Sequence, residues 1–132
     1  MEQKVSASEK IMRGGRIRPL VKGEVIKNKS GSNSTERLIG VDHPELNGGR
    51  PTLIPTLYMK DGKIVRFSSV TPEGKITVSR EQQRGAIQAA MQSGLQYPDF
   101  NTFDESTVYA KQRSAAGGTA NGPIAKPKLQ IR

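Results

Sequence analysis

The chain has 132 residues, 33% of them hydrophobic and 5% aromatic, a net charge of +9, and neither Cys nor Trp. Disulfides, thiolate zinc sites and cysteine nucleophiles are therefore excluded, and no apolar run approaches the ~20 residues a helix needs to cross a bilayer. Residues 1–28 hold seven Lys/Arg against three acids, 29–110 nine against nine, and 111–132 five against none, which is the pattern of a neutral body with two basic arms that lie along other surfaces.

Residues 1–19 show no sustained period, and Arg13-Gly14-Gly15-Arg16-Ile17-Arg18-Pro19 mixes permissive glycines with charge, so this stretch is expected to be a basic N-terminal arm. The Met1-Glu2-Gln3-Lys4 start has no apolar centre of a secretion signal, which predicts synthesis in a cytoplasm. Leu20 to Ile26 reads as a strand, Lys29 to Ser34 as a loop, and Glu36 to Val41 as a second strand, together a hairpin. His43 to Pro51 is dense in turn residues. Thr52 to Met59 gives a third strand, and Pro55 within it, lacking an amide donor, demands an edge position or a bulge.

Asp61-Gly62, between Leu57-Tyr58-Met59 and Ile64-Val65-Arg66-Phe67, predicts a two-residue hairpin, because both residues tolerate positive φ. Thr71-Pro72-Glu73-Gly74 is a further turn leading into Lys75 to Val78. Ser79 and Gln82 form a capping box that opens a helix carrying Ile87, Ala90 and Met91, with Gly94 as its left-handed stop. Thr102 and Glu105 open a shorter helix ending near Lys111 or Arg113, with acids at its positive dipole end and bases at the other. Between the helices, Leu95-Gln96-Tyr97-Pro98-Asp99-Phe100 is expected to be pinned on the sheet by its apolar side chains. Residues 114–132 read as a Gly/Pro-rich basic C-terminal arm: a flexible linker, then Lys126-Pro127-Lys128-Leu129-Gln130-Ile131-Arg132, whose alternation suits a strand added to a foreign sheet edge.

The predicted fold is α+β: residues 20–113 form a small antiparallel sheet of four or five strands with two C-terminal helices on one face, flanked by the arms. No constellation in the sequence supports catalysis, a cofactor, a metal or a small-molecule substrate. His43 has Asp42 and Glu45 beside it but no second His, so it reads as a solvated turn. Asp104 and Glu105 are explained by helix capping before acid catalysis. Gly-x-Ser-x-Gly and the phosphate-loop glycine spacings are absent. The Arg13 to Arg18 segment and the acid-free C-terminus are able to neutralise phosphates, which keeps open a nucleic-acid-binding protein in contact with DNA, although no aromatic residues interleave the charges.

From Pro51 to Arg113 the chain resembles a small module of tailed-bacteriophage virion proteins, found alone or appended to large internal and ejection proteins. The resemblance rests on Thr52-Leu53-Ile54-Pro55-Thr56-Leu57-Tyr58, Glu73-Gly74-Lys75-Ile76, Ala86-Ile87 followed by Ser93-Gly94, Tyr97-Pro98-Asp99-Phe100, Thr102, and Tyr109-Ala110. One departure is the Met59 to Pro72 stretch, which adds a hairpin where the module's turn leads almost directly to the helix. The resemblance implies a phage particle as the setting and carries no catalytic or ligand-binding residues. The expectation is a non-enzymatic, multicopy virion protein, without membrane contact, made in the host bacterial cytoplasm. It would bind portal, tail or capsid subunits at the head-tail junction or ejection apparatus; a capsid decoration protein is the further alternative. The residues expected to touch partners are Arg13, Arg16, Arg18, Lys126, Lys128, Leu129 and Ile131.

Overall fold

The computed structural model describes residues 17–28 and 33–128. In chain order the elements are β1 (Arg18–Pro19), β2 (Ile26–Lys27), β3 (Asn33–Ser34), β4 (Ile39–Val41), β5 (Thr52–Ile54), β6 (Leu57–Lys60), β7 (Lys63–Arg66), β8 (Ser69–Val70), β9 (Ile76–Thr77), α1 (Arg80–Ser93), β10 (Leu95–Gln96), α2 (Phe103–Ala115) and β11 (Lys126–Pro127). The fold is α+β, and every strand pairing is antiparallel.

The sheet is built in short pieces. One has three strands in the order β1-β6-β7, and the others are the pairs β2-β3, β4-β5, β8-β9 and β10-β11. Pro55 is the reason the expected strand over 52–59 divides. It has no amide to give, so β5 ends its pairing with β4 there and β6 turns to β1 and β7. Thr56 bridges the break, its amide donating to Glu36 O at 2.9 Å and its carbonyl accepting from Phe67 N at 2.7 Å. The Asp61-Gly62 turn forms as the sequence predicts: φ is +53° and +78° at the two residues, and Lys60 stands opposite Lys63. Thr71 closes the β8-β9 turn, accepting from Gly74 N at 2.8 Å on its carbonyl and from Lys75 N at 2.9 Å on its hydroxyl.

The expected hairpin between 20–26 and 36–41 does not form. Leu20 and Ile26 are buried, but Val21 and Val25 face outward, Gly23 takes φ +95°, and Glu24 N donates to Val21 O at 3.0 Å. The stretch is a turn between two points of burial, and β4 takes β5 as its partner instead.

α1 begins on the full Ser79/Gln82 capping box and stops at Gly94 with φ +70°. It packs small residues inward: Ala86, Ala89 and Ala90 are buried, and a Cβ on Gly85 would stand 2.6 Å from the Phe67 ring. α2 begins on Thr102, whose hydroxyl accepts from Glu105 N at 3.1 Å. The Glu105 carboxylate reaches back one residue further than a capping box requires, to Asn101 N at 3.0 Å. Glycine at position 40 lets α2 lie close on β4, since a Cβ there would meet Phe103 Cδ1 and Ser106 Oγ at 3.1 Å. The connection between the helices is held on β5 by Leu53 N to Pro98 O at 3.0 Å and Phe100 N to Pro51 O at 2.8 Å.

Both expected arm boundaries move. Ile17, 4% exposed, packs with Tyr58 and Ala89, and β1 pairs Arg18 with Met59 and Pro19 with Tyr58. At the other end α2 runs to Ala115, and the stretch expected to be a flexible linker folds. Gly117 and Gly118, at φ +109° and +60°, reverse the chain into a 3-10 turn over Gly118–Asn121. There Thr119 is 1% exposed and its amide donates to Thr35 Oγ1 at 3.3 Å. Ile124 and Ala125 then enter the main core beside Val41, Leu46, Leu53, Ile54, Ala86, Ala90 and Tyr97. Packing and pairing therefore extend from Ile17 to Pro127 rather than from 20 to 113.

Candidate docking groove

A groove of about 620 Å³ runs between α2 and the β2-β3 and β8-β9 ribbons. Leu38, Gly40 and Leu53 line it, with Val25, Val70 and Ile76 from the ribbons and Ser106, Thr107, Ala110 and Lys111 from α2. Its rim is mixed: Val25 and Ile76 are 43% and 49% exposed, and Ser34, Thr107 and Lys111 stand among them. The volume falls in the range of ordinary ligand pockets.

Two neighbouring residues of opposite charge set the electrostatics. Glu36 is fully engaged: Arg113 clamps its carboxylate in a bidentate pair, Nε at 2.9 Å from both oxygens and Nη2 at 2.6 Å from Oε1. The two side chains are only 5% and 9% exposed, and Arg113 also donates to Gly122 O. This ion pair ties the chain before β4 to the end of α2.

Arg37 is the contrasting case. It is 9% exposed and sits at φ +49°, a conformation that residues other than glycine rarely hold. Its Nη1 donates to Ser68 O and Oγ at 3.3 Å, and its Nη2 to Asn28 Oδ1 at 2.7 Å. The Thr56 hydroxyl holds the Arg37 carbonyl at 2.7 Å and lies 2.6 Å from Ser68 Oγ. No carboxylate pairs with Arg37 among the described residues, and its Nε has no hydrogen-bond partner. Burial first, and the charge of Arg66 second, hold the guanidinium below its ordinary pKa; it stays protonated because that ordinary value is so high.

Beneath β6 and α1 lies a buried tyrosine pair. Tyr58 packs edge-on against Phe67 with ring centroids 6.0 Å apart, and the Tyr97 hydroxyl is 2.8 Å from Ser93 Oγ. Burial pushes Tyr97 up to about 12 and Tyr58 well above its ordinary value. The unfolded chain ionises its tyrosines near pH 10 while these two stay neutral, so stability is expected to fall as pH rises above about 10, by up to about 1.4 kcal/mol per unit for each tyrosine. Tyr97→Phe should lose about 1 kcal/mol at neutral pH and flatten the decline between about 10 and 12. Urea denaturation across that range measures both, and identical slopes for the two proteins would refute the assignment.

The residues expected to touch partners divide three ways. Arg18 is already engaged inside the body: its Nη1 and Nη2 grip the Glu24 carboxylate at 2.9 and 2.8 Å. Hydrogen bonding to Arg18 chiefly lowers the pKa of Glu24, and the same bond raises that of Arg18. Lys126 and Lys128 are exposed, Lys126 on β11, which pairs with β10. Arg13, Arg16, Leu129 and Ile131 lie outside the described residues. His43 accepts from Glu45 N on Nδ1 at 3.1 Å, a local turn contact. Among the described residues no three His, Asp or Glu side chains gather as metal ligands, and no helix is long and apolar enough to cross a membrane.

Sequence reasoning missed the groove. Its parts come from stretches that meet only in the folded chain, and the local signal is confined to Val25 and Ile76 in short expected strands and to Val70 between two of them. A scan against family models, a search of curated proteins and a search of solved structures each return no match to the chain.

Proposed function

We propose that the protein is a non-enzymatic structural component of a tailed-bacteriophage particle, present in several symmetry-related copies and joined to portal, tail or capsid neighbours through its basic terminal segments. The observation that carries the proposal is the place of the outermost described strands. Among the described residues β1 is an outer strand of the β1-β6-β7 sheet and β11 pairs with β10 alone, and residues 1–16 precede the one in sequence and 129–132 follow the other. An outer strand offers unpaired backbone groups to a neighbour. A segment tethered to it meets its partner intramolecularly once the body has docked, which strengthens attachment without a second bimolecular step. The likeness of residues 51–113 to the phage module supports the setting, and the excess of Lys/Arg in residues 1–16 (four against two acids) and 126–132 (three against none) supports acidic neighbours. With Arg18 committed to Glu24, the contacts fall to Arg13, Arg16, Lys126, Lys128, Leu129 and Ile131.

Removing residues 1–16 and 129–132 together is expected to leave the thermal midpoint of the body unchanged and to reduce its incorporation into purified particles at least tenfold, equivalent to about 1.4 kcal/mol of lost attachment. Undiminished incorporation would sink the proposal. Release of the intact protein from opened particles by nuclease would favour contact with packaged DNA instead.

A further inference from the structure

We propose that the groove between α2 and the β2-β3 and β8-β9 ribbons is a second docking site, independent of the terminal segments, which takes an extended acidic segment of a partner protein.

The first ground is charge. Glu36 is neutralised by Arg113 at 2.6 Å, so it presents no net charge to an occupant. Arg37, lining the same groove, is 9% exposed, has no carboxylate partner among the described residues, and keeps an Nε with no acceptor. Lys111 is exposed on the facing helix. A buried guanidinium whose counter-charge is missing is costly by itself, and an entering carboxylate restores that counter-charge in a site partly shielded from water. The positive φ of Arg37 adds a second cost of the kind that concentrates at binding sites.

The second ground is the shape of the apolar surface. Val70 on β8, Ile76 on β9 and Val25 just before β2 line the groove, and among the described residues β9 pairs with β8 alone. A segment in extended form turns alternate side chains to opposite sides. Apolar residues on one side would cover Val25 and Ile76 while acids on the other reach Arg37 and Lys111. An acidic segment fits where the chain's own ends do not, since residues 1–16 hold four Lys/Arg against two acids and residues 129–132 one Arg against none, the same sign as Arg37 and Lys111.

The test is a fluorescein-labelled six-residue peptide alternating glutamate and valine, titrated into the full chain and followed by anisotropy. Saturable binding is expected, at least tenfold weaker for the peptide with glutamine in place of glutamate. Lys111→Glu and Ile76→Ser, both at exposed positions, should each weaken binding at least fivefold with the circular-dichroism melt unchanged, and Arg37→Gln should abolish it. Because Arg37→Gln also removes bonds to Ser68 and Asn28, the two surface variants carry the test if it fails to fold. Equal binding of the glutamine peptide, or indifference to both surface variants, overturns the proposal. So does absence of saturation, including the case in which a single-stranded oligonucleotide binds in a Lys111-dependent manner. Removing residues 1–16 and 129–132 should leave peptide affinity unchanged, so this site and the terminal segments succeed or fail separately.

Discussion

Arg113→Met is expected to destabilise the fold by about 3–5 kcal/mol, because it leaves the Glu36 carboxylate buried without its cation. Glu36 is 5% exposed in its side chain and receives Arg113 through three contacts of 2.6 to 2.9 Å, so solvent has little access to replace the lost partner. The Gly122 carbonyl loses a donor in the same substitution. The informative control is the double variant Glu36→Leu with Arg113→Met. Removing both charges together escapes the penalty of an orphaned ion, and paired apolar replacements of similar volume are commonly neutral or stabilising. Chemical denaturation of the three proteins gives the comparison: a double variant as unstable as the single one would show that packing, not charge, is what position 113 supplies. Since the net stability of a domain is about 5–15 kcal/mol, the single variant forfeits a large part of it.

Deleting residues 123–132 is expected to unfold the protein or leave it with expanded, fluctuating packing, whereas deleting only 129–132 leaves the melting transition in place. The difference lies in Ile124 and Ala125, which are 5% and 4% exposed in the main core. Truncating one buried isoleucine to alanine already costs about 2–5 kcal/mol, and the longer deletion also removes the β10-β11 pairing of Leu95 with Pro127 and Gln96 with Lys126. Near-ultraviolet circular dichroism and a thermal melt distinguish the two truncations; equal midpoints would mean that 124–125 contribute nothing to the core. Reading the whole C-terminal stretch as an arm would have predicted that equality.

The features legible from sequence are those whose chemistry closes within a few residues. Asp61-Gly62, the Ser79 and Gln82 capping box, the Gly94 stop and the Thr102 cap each join groups two to four positions apart, and each appears with its expected geometry. The α+β class followed from the same local signals. What escaped depends on distance along the chain. Glu36 meets Arg113 across 77 positions, Arg37 meets Ser68 across 31, and Thr35 meets Thr119 across 84, and no periodicity encodes such meetings. Composition misled at 114–123, where Gly and Ala suggest a linker. There the glycines serve a sharp reversal, at φ +109° and +60°, that carries Thr119 into the interior. Leu20 to Ile26 misled in the other direction: its apolar residues suit a strand, but Gly23 and the Glu24 to Val21 bond turn the chain instead. Arg37 bore no mark of its burial, since a lone arginine at the start of a strand ordinarily points to solvent.

The seating of Ile124 and Ala125 also constrains how the protein comes into being. Translation delivers the chain from the N-terminal side, so the ribbons around Val41, Leu46 and Leu53 emerge from the ribosome with their interior side uncovered, and the pieces that close it are synthesised after both helices. The interior is thus complete only when that closing segment has been made, and until then aliphatic surface that the finished fold buries lacks part of its cover.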